Sequence, residues 1–180
     1  MHEKQFDGAV ERLRTPERVA RLEMERVVAL CLESGDLKTV LDVGSGSGLF
    51  AEAFSRRGLT VAGVDINPQM IPAALQYVPH GDFREAPAEA LPYPDASFDL
   101  VFMGLLLHES DEPLKVLQEA RRVTRQQVCI LEWPYLEGEF GPPLAHRLQP
   151  ADIVEMARQA GFARLDTVPL TYLAFYRLLL

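Results

Sequence analysis

Three glycines in alternation, Gly44, Gly46 and Gly48 in the stretch VLDVGSGSG over 40–48, are the residues whose spacing most plainly asks for a ligand. Glycine lets backbone approach a bound molecule closely, and a helix starting just after such a turn offers free N–H groups and a positive dipole end. Asp65, at the end of the run TVAGVD, follows seventeen residues after Gly48. An acid at the end of a neighbouring strand can accept both hydroxyls of a ribose. In order, strand, glycines, helix, strand and terminal acid describe a nucleoside site better than a plain tight turn. The third glycine comes one position early for the dinucleotide fingerprint, and Leu49 stands where that pattern wants a small residue.

Other chemistry is thinner. His108 lies just after the run FDLVFM, and an imidazole there is either a general base or a histidine that only bonds loop backbone. Trp133 and Tyr135, with Glu132 at the end of the run VCILEW, offer flat faces that could bracket an acceptor or simply complete the core. His146 and Arg147 could recognise an acidic acceptor, or cap the helix that Pro150 opens. No H-x-x-x-H or C-x-x-C pair occurs, so no metal is expected.

The elements that position these residues follow from periodicity. Thr15-Pro16-Glu17 reads as a helix start, and the apolar positions Val19, Leu22, Val27 and Leu30 extend that helix over 16–33. Short apolar runs then alternate with helical stretches. Strands are expected over 39–43, 60–65, 83–86, 98–103 and 128–133, with helices over 48–57, 68–77 and 112–122. This βαβ rhythm implies a largely parallel sheet. The segment 134–149 is a long loop, expected to be a lid. A helix over 150–160 and two strands over 163–168 and 172–179, paired as a hairpin, complete the chain.

The 180 residues suit one domain, with an N-terminal helical segment over 1–35, and 48% apolar with 24% charged residues is ordinary globular composition. A net charge of −8 repels phosphate backbones and anionic lipid, so neither nucleic acid nor membrane is an expected partner. Two cysteines, Cys31 and Cys129, make no disulfide framework, and the charged N-terminus lacks an apolar signal core; a cytoplasmic protein is expected. Oligomeric state stays open.

The acid and glycines of Asp42-Val43-Gly44-Ser45-Gly46-Ser47-Gly48 resemble the first motif of the class I S-adenosylmethionine-dependent methyltransferases. GVDINPQM over 63–70 looks like that family's second motif, and AEALPYPDASFDLV over 88–101 looks like its third and fourth. The resemblance is strongest to small members of this type and spans about 40–133. It implies a Rossmann-like three-layer α/β sandwich, a mostly parallel seven-stranded sheet with the last strand antiparallel. It also implies methyl transfer from S-adenosylmethionine to a small-molecule acceptor. By the same resemblance Asp42, Gly44, Ser45, Gly46 and Gly48 would hold the methionine and sugar portions, Asp65 the ribose and Ile66 the adenine. Ala88 and Glu89 would flank adenine, and Met103 and Gly104 would face the methionine end. Pro87 stands where the family usually has an aspartate for the adenine amine. An NAD-linked oxidoreductase and a catalytically silent nucleoside-binding protein are the alternatives.

Overall fold

The structure is a computed structural model that describes residues 10–33 and 35–180, apart from the side chain of Glu11. The expectations that fall on residues 1–9 and on Ser34 lie outside the described residues. Seven strands form one sheet: β1 (Thr39–Val43), β2 (Thr60–Asp65), β3 (Asp82–Glu85), β4 (Phe98–Gly104), β5 (Thr124–Glu132), β6 (Arg164–Pro169) and β7 (Ala174–Leu179). Their order is β3-β2-β1-β4-β5-β7-β6. Pairing is parallel from β3 through β5, and β7 runs antiparallel to both β5 and β6. The hairpin and the seven-stranded arrangement agree with the sequence reading.

Side-chain alternation along the central strands builds two cores. Leu100 and Phe102 of β4 and Cys129 and Leu131 of β5 face one core with α2 (Met24–Leu32), α3 (Leu49–Arg56) and α4 (Met70–Tyr77). Val101, Met103, Val128 and Ile130 point to the other face, under α5 (Pro113–Val123) and α6 (Pro150–Gln159). A strand buried on both faces is apolar throughout, which is why FDLVFM and VCILEW were legible as strands. The order reverses at β1, whose neighbours are β2 and β4, so the crevice of a doubly wound sheet opens at the carboxyl ends of β1 and β4.

Two elements differ from the sequence reading. The expected helix over 16–33 is two helices, α1 (Pro16–Arg21) and α2, broken at Glu23 in a left-handed conformation with φ 46°. Glu23 Oε1 there accepts from Thr171 N at 2.6 Å, a long-range contact that a local apolar period cannot register. Strand β5 also begins at Thr124, four residues before the apolar run, because the polar stretch is pinned from outside. Arg125 Nε donates to Asp99 Oδ1 at 2.9 Å, and buried Gln127 donates to Cys31 O at 2.6 Å.

Asp99 ties the amino ends of three strands together. Its carboxylate accepts from Lys38 N, Thr39 N and Thr39 Oγ1 at 2.9, 3.0 and 3.1 Å, besides Arg125. Burial alone would raise this carboxyl, but the donors from Lys38, Arg125 and Thr39 outweigh it and hold it at about 2. A carboxyl held below its unfolded value stabilises the fold at all pH above that value, and the contribution disappears as pH falls through the folded one. Asp99→Asn should therefore lower the unfolding free energy by roughly 1–3 kcal/mol at neutral pH. Denaturant titrations should show the gap to wild type narrowing as pH drops from about 4 towards 2; a constant gap would contradict this role.

Candidate functional site

Five residues carry the chain from β1 into α3, and they can do so only by using left-handed backbone: φ is 69° at Gly44 and 50° at Gly46. Gly44 N and Ser45 N both donate to Val64 O, at 2.8 and 2.9 Å, which folds the turn back over β2. A Cβ on Gly44 would sit 2.8 Å from Leu106 Cδ1, and one on Gly46 would sit 3.0 Å from Leu13 Cδ1. Gly48 serves packing: its Cβ would lie 3.0 Å from Ala74 Cβ, in the seam between α3 and α4. Gly48 does not line the cleft that the other residues of the turn border.

Above the turn lies a cleft of about 430 Å³, counting space open to solvent, lined by Asp42, Gly44 to Ser47, Gly104 and Leu105, with Arg18 and Leu22 closing it from the N-terminal side. Asp65 meets the turn from the neighbouring strand. Its Oδ2 accepts from Gly46 N at 2.8 Å and its Oδ1 from Asn67 N at 2.9 Å; burial raises this carboxyl despite those bonds. Asp42 is more deeply placed and has a single donor, Ala51 N at 3.1 Å, so burial pushes its carboxyl up to about 8, with Asp65 adding to the rise. Ser45 Oγ is buried with no hydrogen-bond partner among the described residues, and the Arg18 guanidinium is half-buried at the cleft, where Glu109 is the opposite charge acting on it. A buried hydroxyl and a half-buried cation in a glycine-floored cleft fit a ligand carrying hydroxyls and a carboxylate.

The remaining expected residues divide. Ile66 is 53% exposed beside Asp65, an apolar side chain left available at the cleft's outer side. Ala88 packs on the core under α5, and Glu89 accepts from Ser110 Oγ. Strand parity turns the Met103 side chain into the core with Val101, and of the two expected residues Gly104 is the one that lines the cleft. His108 is buried in a short 3-10 turn (Leu107–Glu109), with Nδ1 2.8 Å from Glu132 Oε2. Trp133 is core, packed under Gly141, whose Cβ would come 2.6 Å from its ring. Tyr135 stays at the surface, and His146 is half-buried in a 3-10 turn (Leu144–His146).

Arg147 is held within its own loop. Its guanidinium is buried and donates to the carbonyls of Pro134, Leu136, Phe140 and Pro142, using four of its five N–H groups inside the loop 134–149. It is the hub of that loop and has little left for an acidic acceptor. Sequence reading missed Arg18, whose only mark was its i,i+4 spacing from Leu22, and Arg14, which fastens the N-terminal segment across the turn. Arg14 donates to Ser47 Oγ and Ser47 O at 3.1 and 2.9 Å, pairs with Glu52, and stacks 3.3 Å from the Tyr77 ring centroid. Among the described residues, no group of three or more His, Cys, Asp or Glu comes together as a metal site would require.

Residues 41–131 match the family model described as "Methyltransferase domain". A demethylmenaquinone methyltransferase from Renibacterium salmoninarum is 35% identical over 103 residues, 57% of this chain and 44% of that protein. A ubiquinone biosynthesis O-methyltransferase from Psychrobacter arcticus is 29% identical over 161 residues, 75% of this chain and 63% of its own length. The chain thus spans less than two thirds of the curated relatives it matches. A crystal structure of an S-adenosylmethionine-dependent methyltransferase from Aquifex aeolicus superposes with a TM-score of 0.86 at 26% identity, covering 97% of this chain and 99% of that one.

The high carboxyl of Asp42 has a measurable consequence. A carboxyl raised from its unfolded value of ~3.9 binds its proton more tightly in the folded state, so stability falls as pH climbs from about 4 through about 8. Asp42→Asn keeps the acceptor for Ala51 N without the titration. Its unfolding free energy relative to wild type should rise by roughly 2 kcal/mol or more between pH 5 and pH 8.5, read by urea unfolding. A pH-independent difference would mean that Asp42 is ionised in the fold throughout.

Proposed function

The chain belongs to the class I S-adenosylmethionine-dependent methyltransferases, and from that membership we propose that it transfers a methyl group to a small-molecule acceptor by in-line displacement. The observation that carries the reading is the joint between the turn and Asp65: the carboxylate at the end of β2 is already tied to Gly46 N, at the crevice where the sheet order reverses. Family membership leaves the nicotinamide alternative without support.

When bound, S-adenosylmethionine supplies a methyl group activated by its sulfonium. The protein's own tasks are then alignment and, for an acceptor that must lose a proton, removal of that proton. In this reading Asp65 holds the ribose hydroxyls through its remaining lone pairs, and Ile66 covers adenine with Ala88 and Glu89 nearby. Asp42, Ser45 and the backbone of Gly44, Gly46 and Gly104 surround the amino-acid end, where Arg18 offers its guanidinium to the carboxylate. His108 is the base. The loop 134–149 covers the acceptor, with Tyr135 and His146 as the side chains free to meet it. The names of the two curated relatives make a quinone-related ring the first acceptor class to try. The two buried free cysteines are consistent with a reducing compartment, and the reading places the enzyme in the cytoplasm.

Calorimetry with S-adenosylhomocysteine tests the site. Asp65→Ala removes acceptors of two charge-assisted hydrogen bonds, each worth ~1.5–3 kcal/mol, and should weaken binding at least about tenfold. Gly46→Val places a branched side chain at a left-handed position already facing Leu13, and should weaken binding too. Unchanged affinity in both would overturn the assignment. For the activity, quinol and phenol acceptors incubated with methyl-labelled cofactor should gain label. Hydrogen exchange over 134–149 should slow when acceptor and cofactor are both present, and equal exchange would argue for a fixed structural loop.

A further inference from the structure

Glu132 is 1% exposed at the end of β5, with three N–H groups converging on it. The backbone N of His108 donates to Oε1 at 3.1 Å and the backbone N of Trp133 donates to Oε2 at 3.1 Å. The third partner is the ring of His108, whose Nδ1 lies 3.1 Å from Oε1 and 2.8 Å from Oε2. One carboxylate therefore fixes the main chain of the turn after β4 and the imidazole it carries. Leu105 N, donating to Leu131 O at 2.8 Å, keeps the two strand ends in register around it.

We propose that Glu132 is a positioning residue, which holds the His108 ring with Nδ1 protonated and leaves Nε2 as the lone-pair nitrogen of the neutral base. The proposal rests on the reading of His108 as the base and adds what makes the ring fit for that task. The two backbone donors need only an acceptor, which a neutral amide would supply equally well. A buried carboxylate costs several kcal/mol more than an amide unless a partner exploits its charge. The imidazole is that partner: a carboxylate opposite Nδ1 selects the Nδ1–H tautomer and stabilises the ring once it takes up a proton. The base reaction then balances. Nε2 accepts the acceptor's proton, the acceptor's freed electron pair forms the new bond to the methyl carbon, and the imidazolium later returns the proton to solvent.

The charges facing the ring are Glu132 from β5, Glu109 from its own turn and Arg147 from the loop. Burial lowers the ring's proton affinity and Arg147 acts the same way. The hydrogen bond and charge of Glu132, with Glu109, outweigh them and leave His108 above its ordinary value. Glu132→Gln keeps an acceptor for the backbone and removes only the charge, while Glu132→Asp restores it on a shorter arm.

The test is nitrogen-15 NMR of ring-labelled protein, with the His108 signals identified by their loss in His108→Gln. In wild type the neutral ring should show a protonated Nδ1 and an unprotonated Nε2, with a titration midpoint above ~6.5. Glu132→Gln should lower the midpoint by about one pH unit and mix the tautomers, and Glu132→Asp should largely restore both. A wild-type Nε2–H tautomer, or a midpoint that Glu132→Gln leaves unmoved, would overturn the proposal. If Glu132→Gln does not fold, the wild-type tautomer and midpoint decide alone. Binding of S-adenosylhomocysteine to the same samples separates the two readings: its absence in wild type defeats the methyltransferase reading and leaves the dyad standing, whereas normal binding with the wrong tautomer defeats only the dyad.

Discussion

The hydrogen bond from Gly46 N to Asp65 Oδ2 is the joint on which the site depends. It exists only because β1 and β2 pair in parallel with Val43 opposite Val64, which brings the end of β2 level with the turn that leaves β1. A slip of one residue would turn Asp65 to the other face of the sheet and leave the Gly46 N–H without its acceptor. The same register aims Val64 O at two successive N–H groups of the turn. Sheet pairing, which buries apolar side chains, is thus also what assembles the polar floor of the cleft.

Buried carboxylates mark both ends of the sheet, and their donor counts decide what each becomes. Asp99 collects four donors at the amino end and is held strongly ionised, a pin between β4, β5 and the residues entering β1. Asp42 has one donor and is raised, and Asp65 has two and is still raised. An under-donated carboxyl is expensive to keep for stability alone, since a neutral isostere would bury more easily. Its place at the carboxyl edge, beside an unsatisfied serine hydroxyl and Arg18, is where a polar ligand would complete the set.

What could be read from the sequence was what leaves a local mark. Strands buried on both faces, the alternating glycines, the acid at position 65 and the closing hairpin all follow from patterns a few residues long. What could not be read is made by partners distant along the chain. Arg147 looked like a surface cation because its four acceptors are backbone carbonyls, which any sequence supplies. Glu23 looked like one more helical residue, yet its bond to Thr171 accompanies a left-handed backbone that splits the helix. Glu132 did leave a signal, a charge inside the otherwise apolar run VCILEW, which should always prompt a search for the group that justifies it. Met103 shows the limit set by parity: its side chain enters the core, and the next residue, Gly104, is the one at the cleft.

The segment α1 and the loop 134–149 are joined to each other as well as to the rest of the fold. Arg14 binds the N-terminal segment to Ser47 and Tyr77, while seven residues further on Arg21 lies 3.5 Å from the ring centroid of Phe140 in the loop 134–149. Phe140 in turn meets Tyr172 at the β6–β7 connection, and Arg147 gathers the rest of the loop around Trp133. Cation–π contacts of this kind are worth about 0.5–2 kcal/mol each. Arg21 and Phe140 thus join α1 to the loop 134–149 through a contact between residues more than a hundred positions apart, which no local motif in the sequence could mark.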